Sequence, residues 1–335
     1  MARNDDWLAQ VREDPIDPAL PICDPHHHLW ADRENQPQPR YLLDDVLQDV
    51  RSGHNVVSTV FVECRSMYRA DRPREMKPVG GAEFVNGIAA MSASGLYGGT
   101  RIAAGIVGYA HLPIGSRVKG VLEALIAAAP ARFRGIRCTG AWDEDPRIAR
   151  AKAPGQYLDK TFREGFAALA PLGLSFDLAC RYRQIPECAD LAGAFPGTTI
   201  VLNHLGGITG IGAYAGRKDE IFAAWRASMA ELARRPNVFV KLGGLAMDYS
   251  GFGWHERPKP PTSEEMAAAT RRYYETAIEL FGPDRCMFES NFPVDKLSCS
   301  YAVVWNSFKR ITAGYSAAER AKLFHDTAVR AYRLG

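Results

Sequence analysis

The chain has no run of roughly 18 uncharged apolar residues, the length a membrane-spanning helix needs. Its opening stretch, MARNDDWLAQVREDP, is polar and mixed in charge, without the basic and apolar regions of a secretory signal. A cytoplasmic protein with no membrane partner is the expectation. No CxxC pair occurs, and the seven cysteines are odd in number and dispersed. That argues against a disulfide framework or a thiolate zinc site. Cys23, Cys64, Cys138 and Cys180 fall in or beside apolar runs and read as small buried hydrophobes. Basic blocks are missing as well: a net charge of +3, spread among interleaved acids, offers no surface for nucleic acid. Neither GxGxxG after the first strand nor GxxxxGK[ST] anywhere is found, which removes the usual marks of a nucleotide-binding open sheet. Internal repeats and low-complexity linkers are absent too. A single domain over residues 1–335 is expected, with 1–18 as an N-terminal extension.

What is present is a regular alternation. Short, β-branched apolar runs fall at 20–28, 55–63, 101–107, 133–138, 174–179, 198–204, 238–243 and 285–289. Amphipathic stretches follow them at 42–51, 82–94, 116–129, 158–170, 185–194, 220–234, 263–281 and 301–311, and a last one spans 316–332. Ser263 is expected to cap the helix at 263–281, with acids in its first turn. Ser316 and Glu319 form a capping box for the final helix. Eight strands each followed by a helix predict parallel strands with crossover helices. In a chain of this length they predict an α/β fold of the closed (β/α)₈ TIM barrel type. The glycine-rich segment 205–216 and the segment 246–262 read as long loops at the C-terminal rim, where such barrels carry their chemistry.

Residues two apart on a strand share a face, so Asp24, His26 and His28 are expected together near the barrel mouth. Two imidazoles at a strand end suit a divalent metal of the zinc type, or serve as hydrogen-bonding groups in a polar pocket. Glu63 and Arg65 beyond the second strand, Arg137 at the fourth and Arg181 beyond the fifth supply charges to the same layer. So do His204 at the sixth strand, and Glu289 and Asn291 at the eighth. Asp177 and Lys241 lie deeper in their runs. Charged side chains are seldom buried without partners, so the ring predicts a pocket for an anionic or metal-bound substrate, the alternative being interior ion pairs. Trp254 and His255, on the long seventh loop, either cover a substrate or pack on the rim. His54 and His325 are expected away from the mouth, while His111 stays open.

With those residues placed, the chain resembles the amidohydrolase superfamily, in its amidohydrolase-related group. Within that group it is most similar to the branch of lactone hydrolases that includes sugar-acid and 2-pyrone-4,6-dicarboxylate lactonases. The segments CDPHHHLW (23–30), FRGIR (133–137), GLSFDL (173–178), IVLNHLG (200–206) and RCMFESNFP (285–293) carry the resemblance, in the family's order over almost the whole chain. It implies that His26 and His28 are the first-strand HxH and His204 the sixth-strand histidine. They would bind one divalent ion, zinc or manganese, or polarise the substrate carbonyl without one. Arg137 would hold a carboxylate or oxyanion, a task suited to a planar fork of donors.

One position departs from the pattern. The family's eighth strand usually carries an aspartate that takes a proton from the attacking water, and here Asn291 stands there. An amide is no base near neutral pH, so Glu289, Asp295, Glu63 or His255 would have to act in its place. The leading expectation is a hydrolase of a small carboxylated lactone or related cyclic ester or amide, using activated water. Arg65, Arg137 and Lys241 would hold carboxylates, with Glu63, Asp177, Arg181, Trp254 and His255 lining the pocket. A metal-dependent non-oxidative decarboxylase of an aromatic acid is the second expectation. A non-catalytic barrel that binds a small acid is the third. Barrels of this size often pair, so a homo-oligomer is also expected.

Overall fold

The computed structural model describes residues 4–34 and 36–335; of the extension expected at 1–18, residues 1–3 lie outside the described residues. Eight strands pair in chain order, every neighbour parallel. They are β1 (Ile22–His27), β2 (Val56–Val62), β3 (Arg101–Gly108), β4 (Phe133–Arg137), β5 (Ser175–Leu178), β6 (Ile200–Leu202), β7 (Val238–Leu242) and β8 (Cys286–Phe288). A parallel bridge between His27 and Phe292 returns the end of β8 to β1 and closes the cylinder. A helix follows each strand: α1 (Leu43–Val50), α2 (Val79–Ala93), α3 (Val118–Ala128), α4 (Lys160–Phe166), α5 (Ile185–Ala194), α6 (Lys218–Ala233), α7 (Ser263–Phe281) and α8 (Tyr301–Ile311). The chain is a (β/α)₈ barrel, as the alternation predicts.

Two local expectations need correction. The cap of α7 is Thr262, not Ser263: Thr262 is still extended, and its hydroxyl accepts from the Glu265 amide at 3.2 Å. Glu265 reciprocates by accepting the Thr262 amide at 2.8 Å. Ser263 is already helical, and its hydroxyl accepts from Arg310 instead. The final helix is capped by Ser316 and Glu319 as expected but is not continuous. A π-helical turn at Lys322–Asp326 separates Ala317–Ala321 from Thr327–Tyr332.

That closing helix matters to the interior. Strands of a parallel barrel are covered on both faces, so the protein has two apolar layers. The larger lies between strands and helices, with Phe166, Phe176, Trp225 and Trp305 fully buried there. The smaller is the floor inside the barrel, where Cys23, Val60, Val62, Val107, Val201 and Met287 meet Ala328, Ala331, Tyr332 and Leu334 of the closing segment. Burying side chains of this size stabilises by about 1.5–3 kcal/mol each, and the plug leaves only the upper, C-terminal end of the barrel open to chemistry. Ahead of β1 the chain packs on the outside: the Ile16 amide donates to Asn306 on α8, and the Trp7 indole to the Arg257 carbonyl.

Candidate active site

Backbone strain gathers at the upper rim. Arg65, His204 and Asn291 lie beyond β2, β6 and β8 and adopt left-handed φ of +59°, +53° and +55°. For residues with a Cβ this costs on the order of 1 kcal/mol or more each. All three line one cavity of about 430 Å³.

His26 and His204 meet beneath that cavity around Glu289. Their rings are 4.5 Å apart, and His28 stands 4.9 Å from His26. His204 Nδ1 donates to Glu289 Oε1 at 2.6 Å, and the His204 amide donates to the same oxygen at 3.1 Å. His26 Nδ1 lies 2.8 Å from Glu289 Oε2. Two glycines make room for this: a Cβ on Gly243 would lie 2.4 Å from Glu289 Cγ, and one on Gly244 2.6 Å from the His204 ring. His28 turns another way, its Nδ1 donating to the Val62 carbonyl at 2.8 Å. Burial, and then the positive charges of Lys241 beside His26 and Arg137 beside His28, hold both imidazoles neutral, well below their ordinary range.

His26 sits three residues after Cys23, a floor residue, although an odd step on a regular strand should turn it outward. The β1–β2 ladder shifts register between Asp24 and His27, and this lets both face inward. The same shift turns Asp24 away from the face it was expected to share with His26. Its carboxylate accepts from the Ser290 hydroxyl, the Tyr301 hydroxyl and two backbone amides, and burial pushes its pKa up to about 6.

One layer down, the deep charges pair. Lys241 Nζ donates to Asp177 at 2.7 Å, and both side chains are fully buried. Asn203 and Tyr332 also donate to Asp177, each at 2.9 Å. Lys241 Nζ is in turn 3.2 Å from His26 Nδ1. Neither Lys241 nor Asp177 reaches the cavity wall.

The wall itself is cationic. Arg33, Arg65, Arg137, Arg150 and Arg181 line it, against one carboxylate, Glu63, among the described residues. Arg137 is committed to Glu63, with Nε 3.1 Å from Oε1. Arg181 is 4% exposed, lies over the Tyr249 ring and donates to the Ile148 carbonyl; among the described residues it has no carboxylate partner. Arg33 covers Trp30 and donates to the Cys64 carbonyl. From the seventh loop, Met247 and Tyr249 face the cavity; Trp254 and His255 do not. Trp254 stacks on Phe252 at 4.6 Å instead, and His255 neighbours Glu256 on the outside. Asp295 stands behind Asn291, accepting its amide at 2.7 Å. Burial holds the Asp295 carboxyl well above the usual carboxylate range. His54 and His325 lie away from the rim, bonded to Lys309 and Asp326, and His111 is exposed beside Tyr109.

The amidohydrolase family model matches residues 23–334. The chain belongs to the amidohydrolase family. It is 34% identical to the uncharacterized protein y4mH of Sinorhizobium fredii, over 94% of this chain and 99% of the relative. It is 33% identical to an L-fucono-1,5-lactonase of Burkholderia multivorans, over 52% of this chain and 57% of that one. Among solved structures, an amidohydrolase of B. multivorans with bound zinc superposes with a TM-score of 0.71 at 25% identity, covering 94% of this chain and 99% of that one. These likenesses support hydrolase activity in general.

For an amidohydrolase, the fit of a metal is decided by the donors. His26, His204 and Glu289 offer two imidazoles and a carboxylate, with ligand atoms all within 4.8 Å of one another. Glu289 Oε2 is buried and accepts no hydrogen bond, although His26 Nδ1 is only 2.8 Å away. That buried carboxylate oxygen, left without a donor, is one a bound cation would satisfy. The residues fit a divalent ion of the zinc type. In this grouping Glu289 takes the place expected of His28.

Sequence reasoning missed Arg33, Arg150 and Tyr332. The two arginines sit on irregular loops with no periodicity to mark them, and Tyr332 read as one apolar position of a terminal helix.

Proposed function

We propose that the protein hydrolyses a small lactone bearing a carboxylate. The observation that carries this is Arg181. A guanidinium so deeply buried without an acid is costly, and the cavity it faces holds Arg33, Arg65 and Arg150, none ion-paired among the described residues. An anionic substrate supplies the missing charge. Planar, bidentate recognition of carboxylate is what arginine does well.

The substrate's carboxylate sits against Arg181 and Arg65, with the ring ester turned down toward the histidines. His26, His204 and Glu289 would hold a divalent ion, which when bound acts as a Lewis acid on the carbonyl and acidifies water. Arg137 Nη1, 3.4 Å from His26 Nε2, lies where a developing oxyanion would be stabilised. Asn291 gives its amide hydrogens to Asp295, so its carbonyl oxygen is left to accept a hydrogen bond from the attacking water. The proton goes to the Glu63 carboxylate. Asp295 stands behind Asn291 and does not line the cavity, Glu289 is held between two imidazoles, and His255 is outside the cavity. Glu63 lines the cavity, and its Oε2 meets no donor among the described residues.

The test is a panel of neutral and carboxylated lactones, with and without added Zn²⁺ or Mn²⁺, on the wild type, Arg181→Met and Glu63→Gln. Carboxylated rings should open fastest, Arg181→Met should raise KM for those rings only, and Glu63→Gln should lower kcat. If no lactone opens faster than in buffer, the reading fails; carbon dioxide release from an aromatic acid would replace it with decarboxylation.

A further inference from the structure

The loop after β1 carries Arg33 and Gln36 onto the cavity wall, yet it has little means of holding itself there. Pro37 and Pro39 have no amide hydrogen to give. Among the described residues, the backbone bonds that join its two arms pair Trp30 with Tyr41 and the Arg33 amide with the Pro39 carbonyl. Within that loop Gln38 is fully buried. A buried amide needs partners, and Gln38 finds them far away in the chain: its Nε2 donates to Asn4 Oδ1 and Asp5 Oδ1, each at 3.1 Å. Asn4 in turn donates to the carbonyls of Lys296 and Leu297, at 2.9 and 3.3 Å. Those two residues belong to the β8 loop, which puts Asn291 and Val294 on the same wall. Further along the segment, the Trp7 indole ties it to the β7 loop at Arg257.

We propose that the segment ahead of β1 belongs to the substrate-binding apparatus: through Asn4 and Gln38 it clasps the β1 loop to the β8 loop and so holds Arg33 and Gln36 on the cavity wall. The inference rests on that cavity taking the carboxylated substrate, and not on the chemistry that follows. The hold passes from Gln38 to Arg33 through its neighbours. The Gln38 carbonyl accepts from the Trp30 indole at 2.7 Å, and the Pro39 carbonyl accepts from the Arg33 amide at 2.8 Å. Trp30 is the platform under the Arg33 guanidinium, which lies 4.4 Å from the ring centre. Without the Asn4 side chain, the buried Gln38 amide loses an acceptor and the bridge to the β8 loop is gone. The arm at 36–39 then drifts, and Trp30 and Arg33 drift with it. Asn4 and Gln38 touch nothing that reacts; they are positioning residues.

Asn4→Ala breaks the clasp from one side, and Gln38→Met breaks it from the other while keeping the shape of the side chain. Met287→Ala loosens the floor without touching any of these hydrogen bonds. The first readout is hydrogen–deuterium exchange of the protein alone. Asn4→Ala and Gln38→Met should speed exchange over 30–41 about 10-fold, the scale of losing one buried hydrogen bond. Met287→Ala should leave that segment at the wild-type rate. The second readout is affinity for citrate, a small polycarboxylate, by calorimetry. Asn4→Ala and Arg33→Met should each weaken it about 10-fold, and the double variant no further, because the clasp acts through Arg33. On any lactone the wild type turns over, Asn4→Ala should raise KM and leave kcat within about twofold. Unchanged exchange over 30–41 overturns the inference. So does an equal rise in Met287→Ala, which would make the effect one of general loosening. Citrate held as tightly by Asn4→Ala as by the wild type, or by neither, also overturns it. Because neither readout needs turnover, a failed lactone panel leaves their result standing, and unchanged exchange leaves the lactone reading intact.

Discussion

At the lower end of the barrel, valines and Met287 pack against the closing helix, and the buried Lys241–Asp177 pair has its donors and acceptors matched. At the upper end, arginines stand without acids among the described residues, Arg65, His204 and Asn291 hold left-handed backbone on the cavity wall, and Glu289 and Glu63 each keep an oxygen without a hydrogen bond. The same eight strands build both ends. Stability is gathered at one end, and the other carries strain and unmatched charge that a ligand can relieve. A substitution among the apolar residues of the lower end should therefore cost stability and spare activity, and one at the upper end should do the reverse.

The largest expected effect comes from His26→Ala together with His204→Ala. Turnover of the best lactone should fall about 1,000-fold or more, the scale for removing groups that act at the reacting centre. Zinc measured by elemental analysis in the wild type should vanish from the variant, while circular dichroism stays that of a folded barrel. Loss of the fold would instead make the histidines structural.

Met287→Ala breaks the comparison from below. The cavity left in the floor should cost about 2–5 kcal/mol in denaturant unfolding, with kcat within twofold of wild type. A large loss of kcat at full stability would blur the two ends.

Arg181→Met should act in opposite directions on the two properties. Losing charge-assisted hydrogen bonds of about 1.5–3 kcal/mol raises KM for a carboxylated substrate roughly 10- to 100-fold. Removing an uncompensated buried cation should also raise the Tm by a few degrees, about 2–4 °C per kcal/mol in a domain of this size or somewhat smaller. A fall in Tm would mean that Arg181 serves the fold.

The smallest effect is one of pH at the lower end. His54 accepts from Lys309 at 3.0 Å, and burial, then that ammonium, push its pKa down to about 4. Its folded value lies below the ordinary 6.5, so the unfolded chain takes up the proton first as pH falls. Stability is thus full above pH 6.5 and is lost as pH drops toward 4. Thermal unfolding of the wild type and His54→Gln across that window should show the variant losing less. Parallel curves would assign the acid sensitivity to other groups.

Particular residues show where sequence reading stops. The helices at Ile185–Ala194, Ser263–Phe281 and Tyr301–Ile311 have the bounds that periodicity predicts, and all eight strands fall where apolar β-branched runs place them. Those signals are local and repeat along the chain. Alternation failed at Asp24, where a register shift turns the carboxylate away from His26, because a bulge is set by pairing with β2 and not by β1 itself. Thr262 against Ser263 is a matter of one residue's ψ, and a hydroxyl type cannot tell them apart.

The sequence by itself determined the barrel, the amidohydrolase resemblance and the histidines of the first and sixth strands, because periodicity and contiguous motifs are properties of neighbours in the chain. Tertiary structure alone decided which charges remained unmatched. That Arg137 is spent on Glu63 while Arg181 has no acid among the described residues, that Asp295 lies behind Asn291, and that Tyr332 reaches Asp177 from the far end of the chain all depend on groups distant in sequence. Coulomb and hydrogen-bond energies fall with distance in space, and only the closed barrel sets those distances.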